Sequence, residues 1–61
     1  MSQEKRKVIS LMLDKYDIPL AEAANAEIVY SEPGMMHTIK IKGKIYKALL
    51  YEGEWKITLM K

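Results

Sequence analysis

Few residues in this chain could do chemistry, and their spacing limits how many could act together. His37 is the sole histidine and there is no cysteine. A hydrolytic centre would need a nucleophile beside that base, and Ser31 is the hydroxyl close enough in sequence to be considered. One histidine without cysteine gives no recognisable metal-ligand set. Glu52 and Glu54 flank a turn glycine, where a solvated role is expected rather than acid–base work. Gly34, Gly43 and Gly53 are each spent on a turn, so no phosphate-cradling loop remains. No catalytic residue, metal site or cofactor is assigned, and the chain reads as a non-enzyme.

The elements that must position these residues follow from periodicity. Over residues 3–16, Val8, Ile9, Met12, Leu13 and Tyr16 share one face of a helix, with Leu11 off it beside Lys7 and Lys15. Ser2 is the expected N-cap, and Asp17-Ile18-Pro19 ends the helix because a residue before proline avoids the α region. Pro19 can open a short second helix or turn through Leu20 to Ala24, stopping near Asn25. From Ala26 the pattern becomes strand, punctuated by Pro33-Gly34, Lys42-Gly43 and Glu52-Gly53. Strands are expected over 27–32, 35–41, 44–51 and 54–60.

Two-residue loops at all three turns would fix the register of an antiparallel meander. Ile28 then lies opposite Ile39, Tyr30 opposite His37, Tyr46 opposite Ile39 and Leu59, Ala48 opposite Ile57, and Leu50 opposite Trp55. These residues, with Ile41, form one apolar face for the helix to cover, and Trp55 is expected in the core. In this register Ser31 and His37 sit on opposite faces and cannot hydrogen-bond, so His37 reads as a part-buried sheet residue near a hairpin end. The expected fold class is α+β: an N-terminal helix, a short second helix or turn, and a four-stranded antiparallel meander, in one domain over residues 1–61.

The outer sheet face would carry Val29, Ser31, Met36, Thr38, Lys40, Ile45, Lys47, Leu49, Tyr51, Glu54, Lys56, Thr58 and Met60. Met36 falls opposite Leu49 with Tyr51 two residues along, a mixed patch more apolar than solvent requires. Met36, Leu49 and Tyr51 are therefore a candidate protein interface, for a partner or for self-association. Lys40, Lys47 and Lys56 on the same face, with Tyr51 among them and Lys42 and Lys44 flanking Gly43, are candidates for contacting a nucleic-acid backbone and stacking a base. The competing account of these lysines is solubility and protection of sheet edges.

Length and composition set the outer bounds. The chain has 61 residues, is 49% hydrophobic and 30% charged, and carries a net charge of +2, which argues for folding and not by itself for a polyanion partner. Residues 1–34 hold Lys5, Arg6, Lys7 and Lys15 against Glu4, Asp14, Asp17, Glu22, Glu27 and Glu32. Residues 35–61 hold Lys40, Lys42, Lys44, Lys47, Lys56 and Lys61 against Glu52 and Glu54, so the C-terminal half is the basic one. No apolar run approaches the ~18 residues of a membrane span. Lys5-Arg6-Lys7 before Val8 to Leu13 lacks the cleavage site of a signal peptide. The absence of cysteine fits a reducing, cytoplasmic compartment.

Ser31-Glu32-Pro33-Gly34-Met35-Met36-His37 followed by Thr38 to Lys44 resembles the first hairpin of a double-stranded RNA-binding domain. That family carries a second helix with a basic N-terminus where Glu54 to Lys61 here reads as a strand, so no residue role is transferred from it. The most concrete expectation is a non-catalytic interaction module, a small regulatory or accessory protein that binds a protein partner or itself. The alternative is a nucleic-acid-binding module using the lysines of the outer sheet face. No membrane and no small-molecule cofactor is expected.

Overall fold

Helix α1 spans Gln3–Lys15. The structure, a computed structural model, describes residues 3–60, and the expected cap at Ser2 lies outside them. Val8, Ile9 and Met12 recur at helical spacing and are buried, each worth about 1.5–3 kcal/mol in apolar burial. Leu13 and Tyr16 pack partly against the same core, and Leu11, which the periodicity sets apart, joins them. The helix ends in a six-to-one turn: the Ile18 amide donates to the Leu13 carbonyl at 2.8 Å, with Asp17 at a φ of 56°. Aspartate fills a left-handed position that glycine takes at least cost. Pro19 then leads into a 3-10 segment, Leu20–Asn25, whose Ala23 packs on the core while Leu20 faces solvent. No described helix is long and apolar enough to cross a membrane.

Four strands follow, β1 (Glu27–Glu32), β2 (Met36–Ile41), β3 (Lys44–Tyr51) and β4 (Glu54–Met60), ordered β1-β2-β3-β4 in one antiparallel meander. The fold is α+β, as its elements predict. The last two hairpins close through Lys42-Gly43 and Glu52-Gly53, with φ positive at both loop positions of each, the geometry that matches strand twist. Their register is the expected one throughout β2-β3 and β3-β4.

The first hairpin departs from expectation in two places that cancel. The Met35 amide donates to the Glu32 carbonyl at 2.9 Å across Pro33-Gly34, a proline-then-glycine turn with Gly34 at a φ of 77°. The pairing nevertheless closes at Glu32 with Met36, so the loop holds Pro33, Gly34 and Met35, and β2 begins at Met36 rather than at residue 35. A bulge between Ile28 and Tyr30 then absorbs the extra residue, and Ile28 returns to its expected place opposite Ile39. Between loop and bulge every side chain changes face. Tyr30 pairs with Thr38 rather than His37 and turns outward, and Ser31 pairs with His37 and turns inward.

Ile39, Ile41, Tyr46, Ala48 and Ile57 form the sheet's contribution to the core beneath α1. The sheet is broader than the helix that covers it. Leu50 and Leu59, expected on the apolar face, are more than a third exposed, and Trp55 is half-buried at the margin instead of central. Its ring lies 5.3 Å from that of His37. The end of the helix is tied to the outer edge of β4. Lys15 Nζ donates to the Ile57 carbonyl at 2.7 Å, and the Leu59 amide donates to the Tyr16 hydroxyl at 3.0 Å.

Candidate functional site

Two arrangements merit description as sites, one on each side of the sheet. On the helix side, the inward turn of Ser31 brings it to the histidine. Ser31 Oγ lies 2.7 Å from His37 Nδ1, which corrects the expectation that these residues occupy opposite faces. The other ring nitrogen, Nε2, lies 2.6 Å from Glu4 Oε2, which also accepts the Gly34 amide at 2.8 Å. His37 is 1% exposed, and the Glu4 side chain is 33% exposed at its end of the helix.

The proton positions follow from what each group can do. An ionised carboxylate only accepts, so Nε2 carries the proton that faces Glu4. In the neutral ring Nδ1 then accepts from the Ser31 hydroxyl. In the charged ring Nδ1–H donates to the same oxygen, because a hydroxyl can do either. Both ring states therefore keep both nitrogens partnered. First the Gly34 amide and then the His37 ring hold the Glu4 carboxyl below its ordinary pKa. On the other side of β1, the Tyr30 hydroxyl donates to Glu32 Oε1 at 2.6 Å, and the bond to that carboxylate raises the phenol's pKa.

A hydroxyl, an imidazole and a carboxylate in series invite comparison with a nucleophile, base and orienting acid. The Gly34 amide in the adjoining turn is committed to Glu4 and is not open to a developing oxyanion. A cleft of about 230 Å³ lies at the other end of α1, lined by Tyr16, Asp17, Ile18, Pro19, Glu22, Ile41, Lys42, Lys44 and Tyr46, and neither Ser31 nor His37 borders it. What the geometry plainly accomplishes is mechanical. Glu4 and His37 fasten the first turn of the helix to the β1-β2 hairpin across a sequence separation of 33 residues.

On the opposite side the sheet has no covering element among the described residues. Cross-strand pairing arranges the outer side chains in rows. Glu27, Lys40, Ile45 and Met60 form one row; Tyr30, Thr38, Lys47 and Thr58 the next; Glu32, Met36, Leu49 and Lys56 the third. Tyr51 and Glu54 pair beyond them. Met36 does lie opposite Leu49, with Tyr51 two residues further along β3. Leu49 is 42% exposed, Tyr51 61%, Tyr30 51% and Met60 44%, so apolar surface is open on β1, β3 and β4, around a partly buried centre of Met36, Thr38, Ile45 and Lys47.

Lys40, Lys47 and Lys56 run diagonally, one row per strand. Glu27 stands directly opposite Lys40, Glu54 lies two residues from Lys56 on β4, and Glu32 closes the third row, so acids match these lysines in number on the same face. Lys42 and Lys44 are not part of it. Lys44 pairs with the core residue Ile41 and borders the cleft on the helix side, and Lys42 makes an exposed ion pair with Glu22 at 3.2 Å. The structure thus divides the lysine set that the sequence groups together.

Glu4 and the inward Ser31 escape a reading of local spacing. The available signal was His37 itself, since a histidine on a core face needs polar partners for both nitrogens. No protein-family model, curated protein or solved structure matches this chain.

Proposed function

We propose that this chain is a non-catalytic interaction module, a small regulatory or accessory protein whose outer sheet face receives a protein partner or another copy of itself. The observation that supports it is the uncovered apolar surface of Tyr30, Leu49, Tyr51 and Met60, with the half-buried Met36 among them, arrayed on the sheet by cross-strand pairing. The remaining polar chemistry is used internally, with Glu4, Ser31 and His37 bonded to one another.

A benzophenone side chain introduced at Leu49, and separately at the exposed Ser10 of α1, tests this reading. Irradiation should give polypeptide adducts from position 49 and not from position 10. Position 49 without adducts would remove the basis for the proposal. The alternative, nucleic-acid binding, is favoured by the diagonal of Lys40, Lys47 and Lys56 and opposed by the matching glutamates beside it. Phosphate binding would appear as a mobility shift at low salt that weakens steeply as salt rises, and Lys→Glu at all three lysines would abolish it.

A further inference from the structure

We infer that the outer sheet face pairs with the same face of a second copy of this chain, β1 of each copy stacking over β4 of the other. The inference rests on the reading of this face as a protein-contact surface and names its occupant. Charge distribution selects the arrangement. Two copies with their strands aligned, as in a sheet sandwich, are related by a two-fold axis in the plane between the sheets, running close to either across the strands or along them.

An axis across the strands lays each strand on its own counterpart with the rows reversed. Glu27 then meets the second copy's Glu32, and Lys47 meets its own equivalent. That juxtaposes like charges at every level where charge is present on β1 and β3. An axis along the strands, between β2 and β3, keeps the rows level and exchanges the outer strands. Glu32 then lies over the second copy's Lys56, and Met36 over its Leu49, each contact occurring twice. In the middle row Lys47 meets Thr38, and in the first row the stem of Lys40 lies along Ile45. Glu27 lies over Met60 at the end of the first row, and Glu54 flanks Lys56 on β4. Of the two axes, the one along the strands pairs Glu32 with Lys56 where the other sets like charges together.

The edges direct association to the face. On β4, the Ile57 carbonyl and the Leu59 amide are occupied by Lys15 and Tyr16, and β1 carries a bulge, so continuous strand addition is obstructed on both sides. Size sets the strength. Four strands ~4.8 Å apart and about six residues long cover roughly 19 by 20 Å. Stacking two such faces buries on the order of 1,000 Å² in total, at the low end for specific interfaces, so a weak and reversible dimer is expected.

Sedimentation equilibrium from about 10 μM to 1 mM tests this inference. The wild type should pass from monomer to dimer and stop there. Glu32→Lys and Lys56→Glu should each dimerise about tenfold more weakly or not at all, because each brings like charges together twice. Mixed in equal amounts, the two variants should form a heterodimer as strong as the wild-type dimer, a recovery that misfolded chains would not show. A monomeric wild type at 1 mM, or a mixture no stronger than its components, overturns the pairing. If position 49 still cross-links to a different polypeptide, the interaction-module reading stands and only its occupant is wrong; if position 49 yields nothing, both fall.

Discussion

Ser31→Ala discriminates between the register that a uniform set of two-residue loops would give and the one found. In the uniform register the serine hydroxyl points to solvent on the outer face, and its loss should change stability by no more than ~0.5 kcal/mol. In the structure it is the partner of His37 Nδ1, on a ring that is 1% exposed. Removing it leaves a buried ring nitrogen without a partner, at a cost of about 1 kcal/mol if water can reach the gap left by the hydroxyl and about 3 kcal/mol if it cannot. The native state of a chain this size is worth roughly 3–9 kcal/mol in total, so the loss is a large fraction of it. At about 4–8 °C per kcal/mol, the melting temperature should fall by at least ~4 °C. Thermal unfolding followed by circular dichroism at neutral pH measures this, with Ser10→Ala as the exposed control. Ser31→Thr, which keeps a hydroxyl, should recover part of the loss. A Ser31→Ala melting curve superimposable on wild type would refute the inward serine and with it the three-residue loop and the bulge.

The Glu4 carboxyl, held low by the Gly34 amide and His37, contributes stability that is complete above the ordinary glutamate pKa of about 4.3 and is lost as pH falls through its lower folded value. Glu4→Gln should therefore flatten the acid limb of stability against pH below about 5, and an unchanged slope in urea titrations at successive pH values would contradict the clip. Asp17 occupies the left-handed position that ends α1, so Asp17→Gly should raise stability by about 0.5–1 kcal/mol, read as a higher urea midpoint; a lower midpoint would mean that aspartate makes a contact worth more than its backbone strain.

Most of the architecture was legible because local chemistry and hydrophobic pattern agreed. Lys42-Gly43 and Glu52-Gly53 specify two-residue hairpins, and the apolar alternation through Ile39, Tyr46, Ala48 and Ile57 requires the register they produce. The first hairpin was misread for a definite reason. Proline followed by glycine forms the same turn whether the loop closes after two residues or three, and the bulge near Val29 restores Ile28 to Ile39 in either case. The apolar pattern cannot distinguish the two over such a short stretch; it favours an inward Tyr30, the more hydrophobic of the neighbours. What decides instead is the demand of His37 for a hydrogen-bonding partner, a polar criterion that hydrophobic periodicity does not register. Glu4 was beyond reach for another reason. Its partners lie 30 and 33 residues away and are defined only once the helix has a place on the sheet. The Met36–Leu49 pairing follows from the Lys42-Gly43 loop, and the same loop sets Lys44 opposite the inward Ile41, away from the outer lysines; the Lys42–Glu22 pair, 20 residues apart, is defined only once the 3-10 segment has a place beside the sheet.

The tie between the last turn of the helix and β4 gives the helix a second role, as guardian against polymerisation. Trp55 to Leu59 is an outermost strand segment rich in aromatic, β-branched and apolar residues, the composition from which fibrils grow once its backbone is free to recruit another chain. Lys15 and Tyr16 occupy two of the groups such recruitment would use, and they come from the opposite end of the chain, with sequence separations of 42 and 43 residues. A shortened or melted helix would therefore do more than shed core contacts. It would leave behind a sheet with a bare, sticky margin, so that damage near the start of the chain would surface as aggregation seeded near its end.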